Sequence, residues 1–165
     1  MAHSQSSRPI ALIVQDEVLV ALDIESAMGD LGYEVCGIAT SDSRARSLAM
    51  QDHPDLVLMD VLSGGREGIE TGRWLREVCG TSVVFVTSQI DADTVRRIHE
   101  QVPGAPVVPK PFYRDHLAQA IATAVPHVDR PQCTEPLRIA VTTRQSEYVS
   151  REGTHRRRTA TLLGR

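Results

Sequence analysis

The sequence predicts an α/β fold: a doubly wound sheet of five parallel strands with helices on both faces, in the strand order 2-1-3-4-5. Three observations predict it. Between Ile10 and Val125, short apolar runs alternate five times with stretches of helical period. The first run, Ile10–Val14, is apolar from end to end, as a strand covered on both faces requires. Several runs also end in polar, chemistry-bearing residues: Gln15 and Asp16, then Asp60, then Thr87. Open α/β sheets hold their ligands just outside such strand ends.

Each element has its own local reason. After the strand at Ile10–Val14, apolar residues recur at Val20, Ile24, Ala27, Met28 and Leu31, a helical period that Gly32 ends at a C′ position. Residues 33–39 read as the second strand and 43–51 as the second helix. Residues 55–59, DLVLM, read as the third strand, with Asp60 at its tip, and the turn SGGREG at 63–68 follows. The third helix carries Trp74 and Leu75 and ends near Gly80. Residues 83–86 form the fourth strand, capped by Thr87 and Ser88, and Val95, Ile98 and Val102 mark the fourth helix. Residues 105–108 read as a short fifth strand, and Leu117, Ile121 and Val125 as a fifth helix that Pro126 stops.

The organisation is therefore a polar leader at 1–9, an α/β domain at 10–125 and a tail at 126–165. Charge separates the last two. Residues 1–125 hold 10 Lys and Arg against 17 Asp and Glu, whereas 126–165 hold 8 against 4. The tail includes Arg156, Arg157 and Arg158 in a row, lacks apolar periodicity apart from LRIAVTT, and is expected to be flexible and dispensable for the domain. At 41% hydrophobic and 24% charged, the composition is that of a globular protein. No apolar run reaches the ~18 residues of a membrane span, and the leader has no signal-peptide core. Cys36, Cys79 and Cys133 are odd in number and far apart, which argues against a disulfide framework or zinc site and for a cytoplasmic location.

The strand tips carry the functional reading. In the flavodoxin-like (βα)5 order 2-1-3-4-5, strands one and three are neighbours at ~4.8 Å. Asp16 and Asp60 then converge on one point. Two carboxylates that close repel unless a cation lies between them, and Mg²⁺ suits one or two carboxylates with water completing its shell. Thr87 and Lys110 would flank the same point with a hydroxyl and an ammonium. Together they describe a site for a phosphoryl group resting on a metal. Taken singly, Asp60, Thr87 and Lys110 read as ordinary strand-end or surface residues; it is their register that speaks.

At these residues the sequence resembles the receiver domains of two-component response regulators. The matching segments are LIVQDEVLVALDIESAMGDLGYEVCGIA, PDLVLMDVLSGGREGIETGRWLRE, VVFVTSQ and VVPKPF, in order and at receiver spacing, over roughly residues 10–125. The resemblance implies that Asp60 is the phosphoacceptor and Asp16 the acidic Mg²⁺ ligand of the first loop. It further implies a backbone carbonyl from Leu62 to Mg²⁺, a hydroxyl contact from Thr87, a charge contact from Lys110, and a cis Lys110–Pro111 bond. The implied partners are a sensor histidine kinase or phosphotransfer protein and a downstream protein target. A homodimer is left open, membrane contact is not expected, and the domain would be a stand-alone switch rather than an enzyme.

Two residues depart from the pattern. Gln15 stands where receivers usually have an acid, so it is expected to act weakly or through water and to lower Mg²⁺ affinity ~10- to 100-fold. Glu17 stands near enough to lend charge to the site, though its direction cannot be read from the sequence. Val107 stands where receivers often carry a Tyr or Phe that swings inward, which argues against an aromatic switch. Other functions remain in view. A pseudo-receiver that binds protein without phosphate is favoured by Gln15 and Val107, and a nucleic-acid-binding regulator would work through the basic tail. A phosphatase using Asp60 lacks a general acid two residues on, where Leu62 stands.

Overall fold

The structure, a computed structural model, describes residues 8–61 and 67–125. Leu62, the glycine pair Gly64 and Gly65, residues 1–7 of the leader and the tail at 126–165 lie outside the described residues. The element order is β1 (Ile10–Val14), α1 (Val18–Asp30), β2 (Glu34–Ala39), α2 (Asp42–Asp52), β3 (Leu56–Met59), α3 (Glu67–Cys79), β4 (Ser82–Thr87), α4 (Ala92–Gln101), β5 (Val107–Pro109) and α5 (Arg114–Ala124). All five strands are parallel in one sheet, in the order β2-β1-β3-β4-β5 that the sequence predicts.

Alternation along each strand makes two cores. Leu12, Val14, Val57, Met59, Val83 and Phe85 face α2, α3 and α4, where they meet Leu48, Ile69, Leu75 and Ile98. Ala11, Ile13, Leu56, Leu58, Val84 and Val86 face α1 and α5, where they meet Ile24, Met28, Leu117 and Ile121. The central strands are buried on both faces, which is why their sequences are apolar throughout. Close approach is built in at one point. A Cβ on Gly72 of α3 would lie 2.9 Å from Cζ of Phe85, so only glycine lets the helix settle on that ring.

The ends of the elements follow local hydrogen bonding. Gly32, at φ +84°, donates to Gly29, and Tyr33 donates to Met28 at 3.0 Å. This closes α1 in a Schellman turn. Tyr33 is thereby spent on the helix end, and β2 begins one residue later than the pattern predicts. Ser41 and Asp91 cap α2 and α4 by accepting the backbone N–H groups of Arg44 and Thr94. β5 is displaced from the expected 105–108, because the Ala105 N–H turns back to Val102 and pairing with β4 starts when Pro106 accepts the Phe85 N–H at 2.9 Å. The Lys110–Pro111 bond is cis. Among the described residues, no helix is long and apolar enough to cross a membrane.

Candidate functional site

The sheet order brings the polar residues together. Val14 and Met59 are opposite each other, so Gln15 and Asp60 leave the sheet side by side. Thr87 lies opposite Pro109, which places Lys110 one residue beyond the same end. Backbone bonds hold each position: Gln15 N–H to Ala39 at 2.8 Å, Asp60 N–H to Val14 at 2.9 Å and Lys110 N–H to Thr87 at 3.0 Å. These bonds fix the three backbones just beyond the C-terminal end of the sheet.

Asp60 is the centre of the site and is only 7% exposed. Its Oδ2 accepts from Lys110 Nζ at 2.7 Å, and both side chains of this pair are 8% exposed. Its Oδ1 is buried and has no hydrogen-bond partner among the described residues. Buried carboxylate oxygens are ordinarily satisfied, so an unsatisfied one calls for a further partner. Lys110 reaches a second acid as well, Glu17, at 3.2 Å to Oε1. Thr87 is fully buried, and its Oγ1 accepts the Gln89 N–H at 3.1 Å, which leaves the hydroxyl proton to donate.

Asp16, Glu17 and Asp60 each offer a carboxylate oxygen within 4.8 Å of the others. These are hard oxygen donors on three closely placed acids, one of them with an unsatisfied buried oxygen. That donor set fits Mg²⁺. Gln15 behaves differently from Asp16. It is 1% exposed, and its Oε1 accepts the Glu17 backbone N–H at 3.0 Å. Its Nε2 is buried with no partner among the described residues. From the sequence, Glu17 is a nearby charge of unknown direction. The signal available was its position, one residue past Asp16 and at the start of a helix, but its direction depends on Lys110, which is 93 residues away.

At position 107, Val107 is half-buried on β5 and packs against the core shared with Phe85. The aromatics Phe112 and Tyr113 follow the lysine, and Tyr113 stands against His116 on the surface.

The sequence matches the response regulator receiver domain family over residues 11–122. It is 34% identical over 114 residues to the transcriptional regulatory protein PdtaR of Mycobacterium tuberculosis, covering 69% of this chain and 55% of that protein. It is 28% identical over 116 residues to the phyllosphere-induced regulator PhyR of Methylorubrum extorquens, covering 69% and 42%. The chain thus spans about half the length of these relatives. Among solved structures, it resembles the signal receiver domain of a modulated diguanylate cyclase from Desulfovibrio desulfuricans G20, with a TM-score of 0.64 and 32% identity over 72% of this chain and 94% of that one. It also resembles the response regulator PhyR from Brucella abortus, with a TM-score of 0.58 and 29% identity over 72% of this chain and 48% of that one.

Proposed function

We propose that this chain, which belongs to the response regulator receiver domain family, is a phosphoacceptor switch that takes a phosphoryl group onto Asp60 from a sensor histidine kinase or a phosphotransfer protein. The observation that carries the reading is the buried Asp60–Lys110 pair at 2.7 Å, with one Asp60 oxygen left unpartnered beside two further carboxylates.

The chemistry follows from these side chains. Lys110 holds Oδ2 and so fixes the plane of the Asp60 carboxylate. An Asp60 oxygen attacks the phosphorus of phosphohistidine in line; the new O–P bond forms as the P–N bond to the donor imidazole breaks, and the imidazole nitrogen keeps that electron pair. Lys110 then pairs with a phosphoryl oxygen, and the Thr87 hydroxyl donates to another. Asp16, Glu17 and Asp60 would hold Mg²⁺, which supplies neutralisation of the phosphoryl charge. The product stays on the chain as an acyl phosphate, so the domain acts as a signal rather than as a catalyst that releases product. Output is by protein contact, in the cytoplasm where such kinases act. Val18, Leu19 and Leu22 are 67%, 78% and 49% exposed on α1, the helix that follows Asp16 and Glu17, and they suit a protein phosphodonor.

The test is incubation with acetyl phosphate or phosphoramidate and Mg²⁺, followed by intact mass measurement. One phosphoryl mass should appear and be absent in Asp60→Asn. Label that persists in Asp60→Asn overturns the assignment. No label from small donors or kinases selects instead a protein-binding module that does not use phosphate, the reading favoured by Gln15 in place of an acid.

A further inference from the structure

We infer that Glu17 supplies the carboxylate missing at position 15, and that Gln15 is the positioning residue that turns it into the site. The inference rests on reading the strand ends as a cation site, and it concerns how this chain builds that site without the usual acid.

Three observations converge. First, Glu17 stands at the N-cap of α1, yet its side chain makes no cap hydrogen bond. An acid there would ordinarily accept from the helix's own free N–H groups. Instead its carboxylate crosses to Lys110 at 3.2 Å and lies within 4.8 Å of the ligand oxygens of Asp16 and Asp60. Second, the amide of Gln15 has a defined orientation. The Glu17 N–H needs an acceptor, so Oε1 must face it, at 3.0 Å, and Nε2 takes the other, buried prong. That bond pins the backbone from which the Glu17 side chain departs. Third, the site holds a buried acceptor without a partner, Asp60 Oδ1, in a residue 7% exposed. An oxygen of that kind beside two converging acids points to a cation and not to an incidental surface cluster.

Burial explains the exchange. At 1% exposure, position 15 would cost several kcal/mol if it were ionised and unpaired. Glutamine is neutral there. The charge moves two residues on, to a side chain that is 62% exposed and still reaches the same point. Two carboxylates from one loop are thus kept, with their order in the sequence changed.

The test is Mg²⁺ binding to the unphosphorylated full chain by titration calorimetry, in the native protein, Glu17→Gln, Gln15→Glu with Glu17→Gln, and Glu34→Gln as a control on the exposed start of β2. Glu17→Gln should weaken Mg²⁺ about 10- to 100-fold. Restoring an acid in the double variant should recover part of the loss while lowering the melting temperature in metal-free buffer, because position 15 is buried, and Glu34→Gln should bind as the native chain does. Because Glu17 is largely exposed, Glu17→Gln should keep its melting temperature in metal-free buffer, and that measurement separates a lost ligand from a lost fold. Native affinity in Glu17→Gln overturns the inference, as does a native chain that binds no Mg²⁺. Glu17-dependent binding together with an unlabelled Asp60 would instead overturn the phosphoacceptor reading and leave this one standing.

Discussion

Replacing Lys110 with methionine tests how far the site is removed from water. The substitution keeps most of the apolar stem and removes the ammonium, leaving Asp60 buried beside Glu17 with no cation. At 2.7 Å and an effective dielectric near 20, the attraction lost is about 6 kcal/mol before desolvation. Desolvation of both ions offsets much of that, and removing one partner of a buried pair generally costs about 3–5 kcal/mol. Equilibrium urea unfolding in chelator-treated buffer should therefore show a much lower midpoint for Lys110→Met at an unchanged m-value. Asp60→Asn should cost less, because Lys110 keeps Glu17 at 3.2 Å. The double variant should recover most of the Lys110→Met loss, since neither charge is then left alone. A Lys110→Met loss under ~1 kcal/mol would place the pair among screened surface bridges and refute the reasoning. So would a double variant no more stable than Lys110→Met.

Three further outcomes follow from the packing and the charges. Gly72→Ala should destabilise by about 1–3 kcal/mol despite alanine's better helix propensity, because its Cβ would lie 2.9 Å from Phe85 Cζ; chemical denaturation should show the loss, and Phe85→Leu in the same chain should reduce it. Burial first, and Glu67 second, push the Asp42 carboxyl above its ordinary value, so its ionised form costs stability in the folded state. Stability contributed by this group is highest below the unfolded value and falls as pH rises through the folded value. Asp42→Asn should therefore be the more stable protein at pH 7, with the difference closing below about pH 4; urea midpoints measured across that range check the sign. The Cys36 thiol is pushed up to about 11 by burial and then by Asp52. Its alkylation by iodoacetamide at pH 8, followed by peptide mass mapping, should be about 10- to 100-fold slower than that of free cysteine.

Much of this molecule is legible from local pattern. Five apolar runs, each followed by a helical period, can bury both faces of their strands only as a parallel sheet, and that sheet carries Asp60, Thr87 and Lys110 to one end. Strand ends are readable because a buried strand must stop where polarity begins. Gly32 reads as a helix end because a positive φ is cheap there. The cores at Phe85 and Met28 follow from period alone.

Position 15 shows where that reading stops. From the sequence, Gln15 is a weakened ligand and Glu17 a nearby charge without a direction. In the fold, Gln15 is buried with its oxygen on the Glu17 N–H, and Glu17 points at Lys110 and Asp60. The start of β5 was likewise decided by Phe85, twenty-one residues before Pro106, through a single backbone bond. Local preference sets which backbone conformation a residue adopts, and that is written in its neighbours. The direction of a charged side chain is set by the field and the free space around it. Here both come from Asp60 and Lys110, the residues following β3 and β5, strands that only the folded sheet brings within reach of residues 15–17.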